Sequence, residues 1–167
     1  MNPAPTMDPL DLSILRVLLE EARISLVDLG AKVGLSSTAC ARRIKQLETA
    51  GVVRGYQAKL DARSLGVGAT VIVRITLDGQ TEEELIRFER AVAECPEVFS
   101  CYLMSGSDDY LVMVAARDIA DYERLHKDVL SRIPGVSRIQ SSFTLRQIIN
   151  RSSACGVLAP APRPRAR

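Results

Sequence analysis

The sequence contains no tryptophan and one histidine, His126, and aromatic residues make up only 4% of its 167 positions. Its cysteines form no C-x-x-C pair, so neither a zinc site nor a redox motif is indicated; they are Cys40, Cys95, Cys101 and Cys155. We also find no Ser/His/Asp or Cys/His set and no phosphate-cradling glycine loop. The composition therefore predicts a protein that is not an enzyme and that needs no metal or cofactor.

Long hydrophobic runs and a secretion signal are also missing from the sequence. No apolar stretch is long enough to cross a bilayer, and the start MNPAPTMDPL has neither the basic nor the apolar segment of a signal peptide. We therefore expect no membrane partner and a cytoplasmic location. The hydrophobic fraction of 47% is enough for a packed core in one ordinary domain or two small ones.

The net charge of +2 is distributed unevenly along the chain. Residues 1–60 carry eight basic and six acidic side chains, residues 61–145 carry nine and fourteen, and residues 146–167 carry five and none. Within residues 36–60, five basic side chains stand against a single acid, Glu48. Because an acidic middle repels a polyanion, a nucleic acid would be met by the two ends of the chain.

The stretch Ser25–Gly51 predicts two short helices joined by a tight turn. The first covers Leu26–Val33, and the second begins after the N-cap Ser36 and runs to Ala50. The second helix has an apolar stripe of Cys40, Ile44 and Leu47, and on its opposite side Thr38, Arg42, Lys45 and Thr49. A helix with an apolar back and a basic front suits the DNA major groove, so the stretch predicts a helix-turn-helix.

A helix over Asp8–Glu21, with Pro9 at its first position, precedes this pair and completes a three-helix unit. The segment VVRGYQAKL that follows Gly51 is β-prone. One alternative is the wing of a winged helix or a connector strand, from which Arg54 and Lys59 reach phosphate. The other alternative is a solvated linker whose charges are incidental.

The second half of the chain predicts the order β-α-β-β-α-β of ferredoxin-like folds. Its strands are expected at 70–77, 98–104, 110–116 and 136–145, and its helices at 81–95 and 119–133. Two helices cover one face of such a sheet, and burial of the other, apolar face favours a homodimer. The fold class is α+β, with a winged-type helix-turn-helix over 7–60, a hinge over 61–68 and the βαββαβ domain over 69–150.

Residues 151–167 are expected to form a disordered tail that ends in APAPRPRAR, because alternating Pro and Arg cannot form a helix or a packed strand. This tail either adds non-specific attraction to phosphate or keeps the chain soluble. The sequence leaves both alternatives open.

Three separated motifs occur in one order along the chain: D-x-x-I-L…R-I-S from Asp11, V-G-L-S…R…L-E-x-x-G-V-V-x-G-Y from Val33, and S-G-x-x-D-Y from Ser105. With them the chain resembles, over Asp8–Ile148, the Lrp/AsnC (leucine-responsive/asparagine) family of prokaryotic transcription regulators. The resemblance implies binding to double-stranded DNA, dimers that commonly assemble further to octamers, and a small effector, usually an amino acid. It also implies a location at the nucleoid.

Residues for DNA contact are expected on the second helix of the pair and just after it: Ser37, Thr38, Arg42, Arg43, Lys45 and Arg54. Arg42 is the candidate for a base contact, since a guanidinium can bridge guanine O6 and N7. Lys45 and Arg43 are candidates for phosphate contact, although Arg43 has a second option, pairing with an acid of the first helix. A nucleoid-type architectural protein without an effector is the alternative function.

The resemblance places effector binding near the loop between the second and third strands: Met104, Ser105, Gly106, Ser107, Asp108, Asp109 and Tyr110. Gly106 allows a positive φ or close approach of the backbone, and Asp108 or Asp109 can accept an ammonium group. Ser107 departs from the acidic residue that the family often has after the glycine. The alternative is a hairpin turn that uses Ser, Gly and Asp for turn geometry alone.

Overall fold

The computed structural model describes residues 7–152 and 154–158. The chain divides into two compact units, one of residues 1–59 together with 149–167 and one of residues 60–148. Among the described residues, no helix combines the length and the apolar character that crossing a membrane requires.

The first unit contains three helices, α1 (Pro9–Glu20), α2 (Leu26–Val33) and α3 (Ser37–Thr49). Each begins at a side-chain cap, because Asp8, Ser25 and Ser36 accept the backbone N–H groups that the first turn leaves unpaired. Gly34 ends α2 in the left-handed conformation, with φ of 72°. The predicted helix-turn-helix is therefore confirmed, with α2 at its predicted bounds.

The core of this unit is small and lies where the three helices meet. Ile14, Leu29 and Cys40 are fully buried, and Leu47 is nearly so. Val52 and Val53, which follow α3, pack against the same cluster. Cys40 is thus a small hydrophobic core residue, in line with its place on the predicted stripe.

The segment after α3 forms no strand, which excludes the wing and the connector strand among the alternatives left open for residues 52–60. The N–H groups of Val52 and Val53 both donate to the carbonyl of Leu47, which closes the helix end instead of starting a ladder. Further along, the hydroxyl of Tyr56 donates to Glu48, 3.0 Å away. The segment folds back on α3 because its polar groups find partners there.

A further helix, α6 (Ala154–Leu158), belongs to the first unit and packs against α1. Residues 154–158 were expected within a disordered tail, and this expectation is wrong, because the side chain of Leu158 is buried. Residues 159–167, which carry the rest of the predicted tail, lie outside the described residues.

The second unit is a four-stranded antiparallel sheet with two helices on one face. The strands β1 (Ala69–Leu77), β2 (Val98–Leu103), β3 (Tyr110–Ala116) and β4 (Val136–Phe143) lie in the order β2-β3-β1-β4. The helices are α4 (Glu82–Ala93) and α5 (Ile119–Asp128), followed by a 3-10 turn at Leu130–Arg132. This confirms the βαββαβ prediction. Within the expected hinge, a second 3-10 turn covers Arg63–Leu65.

Alternation along β1 and β3 separates the two faces of the sheet. The buried side chains of both strands face the helices and form one core with Phe88, Val92 and Leu125. The strand residues of this core are Val71, Val73, Ile75, Leu77, Tyr110, Val112, Val114 and Ala116. The intervening residues form the open face, which carries Ile72, Leu111, Met113 and Tyr102. Phe143 pairs with Val71 and lies on the helix side, where its ring contacts Tyr122 of α5.

Candidate nucleic-acid interface and ligand loop

The exposed side of α3 carries cations and hydroxyls. Thr38, Arg42 and Lys45 are exposed, whereas Cys40 and Leu47 on the opposite side are buried. The spacing of four and then three residues places Thr38, Arg42 and Lys45 along one line of the helix. These predicted residues therefore lie together on a single surface, which we call the α3 face.

Arg43 does not belong to the α3 face. Its guanidinium donates to Asp8 Oδ2 and Asp11 Oδ1, both at 2.7 Å, and its side chain is only 18% exposed. The hydrogen bonds to Asp11 first and to Asp8 second hold the pKa of the Arg43 guanidinium above its ordinary value. The prediction of Arg43 as a DNA contact is corrected, because its donors are directed at α1.

The same two carboxylates form the capping box of α1. Asp8 accepts the N–H of Asp11, and Asp11 accepts the N–H of Asp8. The hydrogen bond from the Asp11 backbone, and then the contact with Arg43, lower the pKa of Asp8. One network therefore begins α1 and attaches α3 to it.

Two other predicted DNA residues remain at the surface. Ser37 is exposed at the first position of α3, next to Ser36, whose hydroxyl caps the helix by accepting the N–H of Ala39. Arg54 is exposed in the segment that follows α3. Both extend the polar surface at the ends of α3, and neither is directed into the core.

The turn between α2 and α3 depends on a close contact at Gly30. The carbonyl of Gly30 accepts the N–H of Leu35 at 3.0 Å, and a Cβ at Gly30 would overlap the carbonyl oxygen of Leu35. Gly30 is therefore a packing requirement of the turn, which sequence reasoning missed. The signal was available as a glycine in the middle of a short helix.

The ligand loop, Met104–Asp109, connects β2 to β3. The N–H of Met104 donates to the carbonyl of Asp109 at 2.8 Å and closes the loop as a hairpin. Gly106 lies exposed at its tip without the positive φ that was expected as one option, and a Cβ there would meet nothing within 4 Å. Nothing in the described part of the chain therefore requires a glycine at this position.

Asp109 is directed into the domain. It is 6% exposed, and its two oxygens accept the N–H of Leu77 and the side-chain amide of Gln80, each at 2.7 Å. Its own N–H donates to the carbonyl of Ile75. This corrects the expectation of Asp109 as a partner for an effector ammonium group, because both oxygens already join β3 to the end of β1.

Asp108 is placed differently from its neighbour. Its side chain is 19% exposed, and one oxygen lies 3.5 Å from a guanidinium nitrogen of Arg138 on β4. At this distance the pair is a loose surface contact rather than a tight hydrogen bond. Asp108 is therefore less buried than Asp109, and its contact with Arg138 is looser than the hydrogen bonds of Asp109.

Tyr110 is buried as well, although it closes the ligand loop in sequence. Its ring packs on Phe88 with centroids 4.3 Å apart, and its hydroxyl donates to Glu89 Oε1 at 2.9 Å. Burial, and then the contact with Glu89, raise the pKa of the phenol. The expectation of Tyr110 as an effector contact is corrected, because its side chain belongs to the core of the sheet.

A cleft of about 310 Å³ lies between α4 and β2, next to the loop. Apart from Glu89 it is lined mainly by apolar side chains, among them Val92, Phe99, Leu103 and Tyr110. Sequence reasoning did not single out Glu89, because the contact with Tyr110 spans 21 residues. The cleft offers one carboxylate to a small molecule but no cation among its lining residues.

Comparison with known proteins identifies both units. An AsnC-type helix-turn-helix domain matches residues 7–48, and an Lrp/AsnC ligand binding domain matches residues 70–154. The chain belongs to the Lrp/AsnC family. The Bkd operon transcriptional regulator of Pseudomonas aeruginosa is 40% identical over 88% of this chain and 96% of its own length. The leucine-responsive regulatory protein of Haemophilus influenzae is 37% identical over 85% of this chain and 86% of its own.

A solved structure of this family has the same fold. It is a transcriptional regulator of Neisseria meningitidis in complex with L-Met, 36% identical, with a TM-score of 0.84 over 89% of this chain and 96% of that one. The protein described here is therefore an AsnC/Lrp-type DNA-binding transcription regulator with a ligand-binding domain. The named relatives are transcription regulators, and α3 is the second helix of the matched helix-turn-helix.

Proposed function

We propose that this Lrp/AsnC protein binds a specific DNA sequence through the α3 face, assembles through its sheet, and senses an amino acid at the ligand loop. DNA binding through the α3 face is supported by the different placement of two neighbouring arginines. Arg43 is held by Asp8 and Asp11, whereas Arg42 is exposed between Thr38 and Lys45. Of these two neighbouring guanidinium groups, the one of Arg42 is thus available to base edges.

Specific reading by Arg42 is tested by Arg42→Ala. We expect a loss of about 1–3 kcal/mol at the operator and a weaker preference between operator and random duplex, since a bidentate contact to guanine is lost. The measurement is fluorescence anisotropy on both duplexes at one salt concentration. An equal loss on both would make Arg42 a phosphate contact and would favour the architectural function.

Amino-acid sensing is supported by the accessible groups of the ligand loop. Asp108 offers a carboxylate to an ammonium group, and Gly106 leaves space that no described part of the chain occupies. The backbone N–H groups around Gly106 suit a carboxylate. The relative from Neisseria meningitidis was solved with L-Met, which supports an amino acid as the class of ligand.

Calorimetric titration of the full chain with the twenty amino acids tests this part. We expect binding of at least one amino acid, abolished by Asp108→Asn and weakened by Gly106→Val, which fills the space at the tip. Glu89→Gln is the matched control, because it removes a carboxylate from the cleft and not from the loop. Loss of binding in Glu89→Gln alone would place the ligand in the cleft, and no heat with any amino acid would exclude this effector class.

Assembly is supported by the open face of the sheet. Ile72, Leu111 and Met113 are only half-buried there, and Tyr102 is 54% exposed, although the face has no helix over it within the unit. Covering such a surface with a second copy contributes about 25 cal/mol per Å² of apolar area. The proposed assembly is a homodimer that associates further, as far as an octamer, and acts at the nucleoid in the cytoplasm.

A further inference from the structure

The segment that follows α3 is attached to this helix at two points. The N–H groups of Val52 and Val53 donate to the carbonyl of Leu47 at 2.9 and 3.1 Å, and both valine side chains pack against the core of the first unit. Three residues further on, the hydroxyl of Tyr56 donates to Glu48 Oε1 at 3.0 Å. The chain between these two points therefore cannot leave the end of α3 without breaking one of these contacts.

Arg54 lies between the two points and is exposed. Its Cα is one step of about 3.8 Å from that of Val53, whose backbone is bonded to α3. Gly55 separates Arg54 from Tyr56 and has φ of 155°, a conformation that residues with a side chain rarely adopt. The chain thus turns at Gly55, which leaves the arginine in solvent and returns the tyrosine to α3.

Glu48 is the single acidic residue between residues 36 and 60. It is half-buried and follows Lys45 of the α3 face by three residues, which makes the two side chains neighbours on the helix. A carboxylate at this place competes with phosphate for nearby cations. Its Oε1 is instead occupied by the neutral hydroxyl of Tyr56, and burial first and Glu48 second raise the pKa of this phenol, so it remains a donor.

The charge of Arg54 is available for another partner. In the part of the chain that the structure describes, its guanidinium makes no ion pair. The segment therefore presents a cation next to the end of α3, attached on both sides.

We infer that Tyr56 is a positioning residue for DNA binding: its hydrogen bond to Glu48 holds Arg54 beside the α3 face, where the guanidinium binds a phosphate of the duplex. This inference rests on the proposed DNA binding by the α3 face. A side chain whose backbone is already held loses less conformational entropy when it meets its partner. Because phosphate contacts carry no sequence information, this contact strengthens binding to operator and random duplex alike.

Binding of the full chain to random duplex over a range of salt concentrations tests this role. Tyr56→Phe keeps the ring and removes the hydroxyl, and we expect about two- to tenfold weaker binding, the range of one net hydrogen bond. Arg54→Gln should weaken binding at least as much and lower the slope of log affinity against log salt by about 0.9, the value of one phosphate contact. In the Arg54→Gln background, Tyr56→Phe should have no further effect, because the cation that it positions is gone.

Three controls separate positioning from a general effect on charge or stability. Tyr56→Phe and Lys45→Ala should be additive, since Lys45 lies on α3 itself. Arg90→Gln removes one positive charge from an exposed position of the other unit and should keep the slope of the parent chain. The melting temperature of Tyr56→Phe, measured by circular dichroism, should stay close to that of the parent, because Tyr56 is 48% exposed.

Binding of Tyr56→Phe equal to that of the parent would overturn the inference. An undiminished effect of Tyr56→Phe in the Arg54→Gln background would overturn it too, because the hydroxyl would then contact phosphate itself or act through the fold. Equal losses of slope in Arg54→Gln and Arg90→Gln would have the same consequence. If the parent chain binds no duplex, the proposed function fails as well, whereas a parent that binds and a Tyr56→Phe variant that matches it leave the proposed function standing.

Discussion

Neighbouring residues of the same chemical type have different roles in two places in this protein. Arg42 is exposed, whereas Arg43 is paired with Asp8 and Asp11. Asp108 is partly exposed at the ligand loop and makes a loose contact with Arg138, whereas Asp109 is buried with both oxygens bonded. One position along a helix rotates the side chain by about 100°, which separates the two arginines. In the loop before β3, the backbone bends and directs the two carboxylates to different surroundings.

Arg43→Ala tests whether Arg43 stabilises the fold without contacting DNA. We expect a lower melting temperature, since Asp8 and Asp11 lose their shared cation, and an unchanged salt slope of DNA binding. Lys45→Ala is the comparison, because Lys45 is exposed on the α3 face. It should lower the slope by about one and leave the melting temperature unchanged. If Arg43→Ala and Lys45→Ala lower the salt slope by the same amount, Arg43 contacts phosphate.

The pH dependence of stability tests the network at Asp8. Because the pKa of Asp8 is lowered in the folded state, its ionised form stabilises the fold above the ordinary value of 3.8. This contribution is lost as pH falls through the folded pKa. Asp8→Asn keeps a capping side chain but not the charge. We therefore expect Asp8→Asn to be less stable than the parent at neutral pH.

In urea unfolding, the difference between Asp8→Asn and the parent should shrink below pH 3.8 and vanish at lower pH. Asp78→Asn serves as a control for loss of an exposed carboxylate. A difference for Asp8→Asn that persists at low pH would mean that its charge does not contribute.

At the scale of the elements, local signals determine where helices and strands begin and end. Ser25 and Gly34 bound α2, and Asp8, Ser36 and Thr81 cap α1, α3 and α4. The turn between α2 and α3 needs more than its own caps, because the backbone of Leu35 leaves no space for a Cβ at Gly30.

Two glycine variants test where packing requires a glycine and where it does not. Gly30→Ala should lower the free energy of unfolding by about 1–3 kcal/mol, because the turn must shift to admit the methyl group. Gly106→Ala should change it by less than about 0.5 kcal/mol, since nothing lies near its Cβ. Urea unfolding measures both, and equal losses would contradict the assignment of Gly30 to packing.

At the scale of the whole molecule, an antiparallel sheet with helices on one side leaves its other side to be covered. Here that side presents Ile72, Leu111 and Met113 near its centre and Arg74 and Arg138 among its polar members. A face that combines apolar side chains, methionine and arginine has the composition of a surface between two copies.

Met113→Glu tests the proposed assembly through the open face. A charge at the centre of this face loses its hydration when a second copy covers it, so we expect the mass in sedimentation velocity to fall toward that of a monomer. Ile119→Glu is the control, because Ile119 is a 71% exposed apolar residue on α5. An assembly that survives Met113→Glu would exclude this face as the interface.

The order of the elements from α1 to β4 and most of their bounds were predictable from the sequence. The causes are local: caps, turn glycines, and the two periodicities of buried residues in helices and strands. β3 has its predicted bounds because burial alternates along it without interruption. The α3 face was predictable for the same reason, since its spacing depends on helix geometry alone.

Contacts between residues far apart in the chain could not be predicted from the sequence. The pairing of Arg43 with Asp8 spans 35 residues, and the bond from Leu77 to Asp109 spans 32. The bond from Arg16 to Leu158 spans 142 residues and makes α6 part of the DNA-binding unit. Sequence periodicity predicts which residues share a face of a helix or strand. It does not predict which charged side chains pair, because the partners are brought together only when the chain folds.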